Sequence, residues 1–249
     1  MKRLLSSTIL ALGLAAAPVM AFDMGSMSDE ERAIFRAEIR SYLLDNPQVI
    51  MEAVELLEQR NAAADAAHDM ALVQNNTDAL FDDGYSWVGG NPNGDITLVE
   101  FIDYRCGYCR KAFDEVEQLL ENDGNIRLIV KEFPILGEDS VVSSRYAIAV
   151  KQTMGDEAYK LAHDALITFK GDVNTGSLTR ISESLGFDAD ILLARMDSDE
   201  VTEEIRQTRA LAQNLKISGT PTFVMQDQLL RGYLPLNNMT ALVAEKRTR

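Results

Sequence analysis

The chain has 249 residues, of which 46% are hydrophobic and 25% charged, a balance that buries a core and suits one catalytic domain with a smaller accessory region. A formal net charge of −15 repels phosphate backbones and argues against a nucleic-acid partner. With two cysteines and two histidines, His68 and His163, neither histidine has a partner at ligand spacing, so a four-ligand structural zinc site is not expected and no metal is assigned.

Residues 1–21 read as an export signal. Lys2 and Arg3 precede an uncharged, mostly apolar run from Leu4 to Ala17, and Pro18-Val19-Met20-Ala21 supplies small residues for cleavage after Ala21. The run is short of the roughly 20 residues a membrane span needs, and no cysteine follows it for lipid attachment. An uncleaved anchor is the alternative. Cleavage starts the mature chain near Phe22, carries it to the periplasm and leaves a net charge of −17.

Residues 22–80 form an expected helical extension after a disordered stretch at 22–27. Ser28 and Glu31 make a capping box, and Phe35, Ile39, Tyr42 and Leu43 recur at helical spacing. Asn46-Pro47 ends this helix and is suited to start the next, with Asn46 as cap and Pro47 at the first position. Ile50, Val54 and Leu57 form a second stripe, which thins into the Ala-rich run around 60–67. Two such helices cannot form a core alone. Their stripes pack on the catalytic domain or on another copy of the chain, and the stalk favours a homo-oligomer through residues 28–75.

Residues 81–249 read as the catalytic domain. A turn cluster at 89–94 precedes a strand at Ile96–Ile102, and Cys106-Gly107-Tyr108-Cys109 opens a helix carrying Phe113, Val116 and Leu119. A strand follows at Ile126–Phe133. Residues 137–200 are helical, with breaks expected at Gly155, Gly171, Gly176 and Gly186, and a further helix runs from Glu203 to Leu215. A strand pair around the turn Gln226–Gln228 and a helix at Leu236–Lys246 close the chain. This order makes an α/β fold with an inserted helical domain.

The cysteines lie three apart, so a bond between them closes almost no loop and adds little stability. At a helix start, free N–H groups and the macrodipole favour a thiolate, lowering a pKa of about 8.5 to roughly 3.5–7.5. Cys106 is therefore the expected nucleophile and Cys109 the resolving thiol, with no cofactor beyond a redox-active Cys106–Cys109 disulfide. Glu100 stands in an otherwise apolar strand, where burial raises its pKa and lets it shuttle protons for Cys109. The bland alternative is a carboxylate capping the strand in solvent.

The run from Glu100 to Cys109, together with Gly219-Thr220-Pro221-Thr222-Phe223, resembles the DsbA family of the thioredoxin superfamily. The resemblance implies a thioredoxin-like fold over about 84–246, a cis Pro221, and substrate binding by Thr220, Pro221, Gly107 and Tyr108. It also implies that Glu100 pairs with a lysine on the next strand, for which Lys131 is the candidate.

The Gly-Tyr dipeptide and Thr220 are similar to the disulfide isomerase DsbC, and the helical extension is similar to ScsC and Com1-type envelope proteins. These likenesses imply thiol–disulfide exchange on unfolded or misoxidised envelope proteins, leaning to isomerase, with a DsbA-type oxidase close behind. A DsbD/ScsB-like reductase or a DsbB-like oxidase is the implied membrane partner. A thiol-binding chaperone or copper-stress protein without turnover is the further alternative.

Overall fold

The computed structural model describes residues 24–248, so the export signal, its cleavage after Ala21 and a mature start at Phe22 lie outside the described residues. The chain divides into two compact units, one reaching Arg60 and one starting at Asn61.

In the first unit, Met24–Ser26 forms a single 3-10 turn where disorder was expected, and Ser28 caps helix α1, Asp29–Asp45. The Ser28 hydroxyl accepts from the Glu31 N–H while the Glu31 carboxylate accepts from the Ser28 N–H at 2.8 Å, the predicted capping box. Asn46 ends the first helix as expected but does not act as the cap of the next. Its backbone and side-chain N–H groups both donate to the Tyr42 carbonyl, closing α1 rather than capping the next helix. Helix α2, Gln48–Asn75, then runs through the Ala-rich stretch without a break. No residue of α1 is buried, and Phe35, Ile39, Tyr42, Met51 and Leu57 are exposed.

The extension does not end at residue 80. Val73 near the end of α2 and Leu80 in the short helix α3, Thr77–Phe81, are buried in a cluster with Val99, Phe101 and Ile129, so residues from Asn61 on belong to the second unit. Each such side chain stabilises by about 1.5–3 kcal/mol. That outweighs the weak helical signal that made the region read as a stalk.

The second unit is built on a five-stranded sheet in the order β1-β3-β2-β4-β5. Strands β2, Ile96–Ile102, and β3, Ile126–Glu132, are parallel, joined by helix α4, Gly107–Asp123. Strand β4, Thr222–Met225, lies antiparallel to β2, and β5, Gln228–Arg231, antiparallel to β4. The edge strand β1, Trp87–Gly90, is antiparallel to β3 and overlaps the expected turn cluster. Its two glycines hid it. The Trp87 ring covers Gly89, where a Cβ would come within 2.0 Å of it, and Gly90 has a φ of +64°.

The inserted helices are α5, Glu138–Met154, α6, Asp156–Thr168, α7, Thr175–Leu185, α8, Ala189–Met196, and α9, Asp199–Asn214. Gly155 and Gly186 separate helices as expected, whereas Gly176 lies inside α7. Helix α10, Leu236–Arg247, closes the domain.

The sheet buries both faces. Leu98, Ile102, Leu128 and Val130 face a core with α4 residues Cys109, Ala112 and Val116, whereas Val99, Phe101 and Ile129 face the other core. Alternation therefore places Glu100 on the α4 face.

Candidate active site

Strand β2 ends at Ile102, and the turn Asp103–Cys106 delivers the chain to α4. The turn closes on itself, because the Cys106 N–H donates to the Asp103 carbonyl at 3.0 Å. One carboxylate oxygen of the buried Asp103 accepts from the Arg105 N–H at 2.8 Å. The other accepts from the Ile135 and Leu136 N–H groups at 2.8 and 3.0 Å. Asp103 thus fixes the cysteine turn to the loop after β3. The motif alone gives Asp103 no such role.

Cys106 is the N-cap of α4, and its sulfur accepts from the Cys109 N–H at 3.4 Å. A hydrogen bond from the Cys109 side chain does most to lower the Cys106 pKa. Partial burial opposes it, and the Thr220 side chain and the N–H groups of Cys109 and Tyr108 add to the lowering, leaving it at about 5. Cys109 moves the other way: its contact with Cys106, its burial and the nearby Glu100 charge all hold its proton on. The two thiols are unbonded here, the reduced form of the pair. One is poised as thiolate and the other as thiol, the division of labour expected of nucleophile and resolving group.

Thr220 comes from 114 positions away in sequence, with Pro221 next to it, yet the Thr220 carbonyl lies 3.2 Å from the Cys106 sulfur. The Thr220–Pro221 bond is cis, as the resemblance implied. Beside the sulfur, Tyr108 is 63% exposed with its ring 6.1 Å from that of Tyr233. A side chain at Gly107 would meet nothing within 4 Å, so glycine leaves the approach to Cys106 open. Gly107, Tyr108, Thr220 and Pro221 therefore surround the nucleophile.

Glu100 is buried on the sheet face below α4. Desolvation, with the charges of Glu117 and Cys106, pushes its pKa up to about 8, and no cation is among the groups acting on it. The expected pairing with Lys131 is corrected by the register. Val130 is the neighbour of Glu100 and Lys131 the neighbour of Phe101, so Lys131 points to the opposite face. There its ammonium donates to Asp83 at 2.5 Å and to the Ala79 carbonyl at 2.7 Å. Lys131 anchors the segment after α3 and takes no part in the thiol site.

A further carboxylate, Glu132 at the end of β3, was not singled out. It is buried and accepts hydrogen bonds from Tyr104, Tyr159 and Ser144. The signal was the same as for Glu100, a charge in an apolar strand, but its place at the strand end beside Lys131 disguised it. His163 is packed and buried, its pKa lowered to about 3 by desolvation and by Lys160. Among the described residues no group of three metal-ligating side chains converges, and no helix is long and apolar enough to cross a membrane.

Comparison with known proteins follows the same lines. Residues 97–244 match the DSBA-like thioredoxin domain family, and residues 31–64 match the N-terminal domain of the copper resistance protein ScsC. A thioredoxin-like oxidoreductase from Silicibacter pomeroyi is 41% identical, covering 69% of this chain and 98% of its own, with a TM-score of 0.65. The thiol-disulfide exchange protein α-DsbA2 from Wolbachia pipientis is 30% identical, covering 73% and 98%, with a TM-score of 0.67. A linker-deletion mutant of Proteus mirabilis ScsC shares the fold at 23% identity, covering 91% and 99%, with a TM-score of 0.65. The chain spans about a quarter, 24%, of the curated relative it matches at 27% identity, an Na(+)/H(+) antiporter NhaA from Salinispora arenicola.

Proposed function

Starting from a chain that belongs to the DSBA-like thioredoxin domain family and is a thiol–disulfide oxidoreductase of the DsbA/ScsC type, we propose that it rearranges wrong disulfides in proteins of the cell envelope. The observation that carries this reading is the split of the two thiols. Cys106 is held at about 5 at the start of α4, while Cys109 keeps its proton one turn deeper.

The Cys106 thiolate attacks one sulfur of a substrate disulfide. A mixed disulfide forms and the other substrate sulfur leaves as thiolate. If that thiolate attacks a different disulfide of the substrate, a new substrate thiolate is released; when this attacks the substrate sulfur of the mixed disulfide, the substrate is isomerised and Cys106 leaves as thiolate. If it does not, Glu100 takes the proton of Cys109, and Cys109 attacks the Cys106 sulfur. The substrate then leaves with its pair reduced, and the enzyme holds a Cys106–Cys109 disulfide. A membrane reductase of the DsbD/ScsB kind must then return two electrons, whereas a DsbB-like oxidase would drive the reverse cycle.

Two features support isomerisation over oxidation. Gly107-Tyr108 places no cationic side chain between the cysteines, which makes the disulfide less oxidising. Helices α1 and α2 expose Phe35, Ile39, Met51 and Leu57, a surface suited to a second copy. In such an oligomer several sites meet one substrate at high effective concentration.

Trapping of the thiols by alkylation in the native envelope tests the reading. Cys106 found mostly as free thiol supports the isomerase, and mostly disulfide supports the oxidase. Refolding of a scrambled ribonuclease by wild type but not by Cys106→Ala separates both from a chaperone without turnover.

A further inference from the structure

Behind the cysteine turn lies a buried polar cluster that the exchange steps do not use. Glu132 Oε1 accepts from the Tyr104 hydroxyl at 2.7 Å and from the Tyr159 hydroxyl at 2.6 Å, and Oε2 accepts from Ser144 at 2.7 Å. The Tyr104 hydroxyl also lies 3.1 Å from His163 Nδ1. With Glu132 ionised, Tyr104 gives its one hydroxyl proton to the carboxylate and His163 donates to Tyr104 from Nδ1. Every donor then has an acceptor, and three side chains converge on one carboxylate, with His163 joined through Tyr104.

Three members, Ser144 on α5 and Tyr159 and His163 on α6, belong to the helical insertion. Tyr104 belongs to the turn two residues before Cys106. Its backbone is held as firmly as its ring. Arg110 Nε and Nη2 donate to the Tyr104 carbonyl at 3.1 and 3.0 Å, and the Arg110 N–H donates to the Cys106 carbonyl at 3.1 Å. A turn pinned at both ends cannot drift, and the position of Cys106 over the N–H groups of α4 depends on that turn.

We propose that Glu132 is a positioning residue for thiol–disulfide exchange, holding the Cys106 turn against the helical insertion through the Tyr104 hydroxyl. Placing a carboxylate in this core is costly: burial pushes its pKa up to about 7 despite the three hydrogen bonds. An apolar residue would avoid that cost but orphan the Tyr104, Tyr159 and Ser144 hydroxyls, so the carboxylate is there for its bonds and not for filling. The proposal rests on the exchange reading above and adds what keeps the nucleophile in register.

The test is the midpoint of the Cys106 thiolate absorbance in the full mature chain, measured with thermal unfolding and exchange on a model disulfide. Tyr104→Phe keeps the ring and removes only the tether, and should raise the midpoint by about one pH unit, a tenfold loss of thiolate preference. Glu132→Leu should do the same. Glu132→Gln retains an acceptor oxygen for both tyrosines and should restore the wild-type midpoint. Tyr159→Phe removes a bond to the same oxygen without touching the turn. It should cost stability and leave the midpoint unmoved.

A Tyr104→Phe variant with lowered stability and an unchanged midpoint would overturn the proposal, and so would a Tyr159→Phe shift as large as that of Tyr104→Phe. If Glu132→Leu fails to fold, the two phenylalanine variants decide. Failure of the exchange reading is separate, because the wild type would then not react with the model disulfide, while the midpoints still report on positioning.

Discussion

Removing Asp83 should destabilise the protein severely while leaving the thiol chemistry alone. The Lys131 side chain is fully buried, and its two polar contacts are the Asp83 carboxylate and the Ala79 carbonyl. In Asp83→Ala the ammonium stays buried with the Ala79 carbonyl and the Tyr85 ring, 5.5 Å away, and with no carboxylate bonded to it. Breaking one side of a buried pair costs about 3–5 kcal/mol. At about 2–4 °C per kcal/mol for a unit of this size, Tm falls by roughly 6–20 °C. Lys131→Met is milder, about 1–3 kcal/mol, because Asp83 still accepts from the Tyr85 N–H and from the N–H and hydroxyl of Ser86. The double variant removes both charges and should recover much of the loss, which a double-mutant cycle of thermal unfolding measures. The thiolate titration supplies the second readout. With Lys131 on the sheet face away from Glu100, Lys131→Met should move the Cys106 midpoint by less than about 0.3 unit. A shift of a full unit with little loss of Tm would mean that Lys131 pairs with Glu100 after all, and the register argument would fail.

Other expectations follow from the same geometry. Exchange by Cys106 should be nearly pH-independent above neutrality and fall as pH drops through about 5, read by initial rates on a model disulfide. Because that folded pKa lies below the value of about 8.5 for free cysteine, the reduced protein carries a stability increment that is complete above the latter and lost as pH falls through the former. Cys106→Ala should abolish this increment in Tm against pH. Glu100 has the opposite sign: with its folded pKa raised to about 8, stability is lost as pH rises from the ordinary carboxylate range through that value. Glu100→Gln should therefore raise Tm most at alkaline pH, with the gain vanishing near pH 4, and should lengthen the life of the mixed disulfide in quench experiments. Phe35→Glu with Ile39→Glu places charge on the apolar surface of α1 and should convert an oligomer to monomer by light scattering. A wild-type monomer would remove the second-copy argument.

What was legible in the sequence was local. The capping box at Ser28, the strand running into Cys106 and the helix beginning there all follow from neighbours a few residues apart, and the structure has each of them. Glu100 was legible because one carboxylate interrupts an apolar strand. Which face Lys131 occupies was not, because parity relative to Glu100 depends on how β2 and β3 align, and one step of register reverses the answer. Strand β1 was hidden by glycines, a composition that reads as turn until the Trp87 ring is seen covering Gly89. The unit boundary at Asn61 was hidden because Val73 and Leu80 contribute burial across more than 20 positions to Phe101, beyond the reach of helical periodicity.

The corrected position of Lys131 changes what Glu100 can do. A cation beside Glu100 would hold it ionised, a standing base that favours Cys109 attack and so favours release of reduced substrate. Without that cation the Glu100 pKa rises to about 8, close to that of an ordinary thiol. Cys109, however, holds its proton more tightly than an ordinary thiol, so transfer from Cys109 to Glu100 is uphill and Cys109 attack is held back. An oxidase gains from a one-way step, but an isomerase must let the substrate thiolate search before Cys109 intervenes. At neutral pH Glu100 is mostly protonated and Cys109 is slow to attack, which lengthens the search. The missing ion pair thus argues for the same assignment as the exposed N-terminal helices, on independent grounds. Installing a lysine at Leu128, which lies on the Glu100 face of β3, should shorten the mixed disulfide's life and weaken isomerisation relative to reduction.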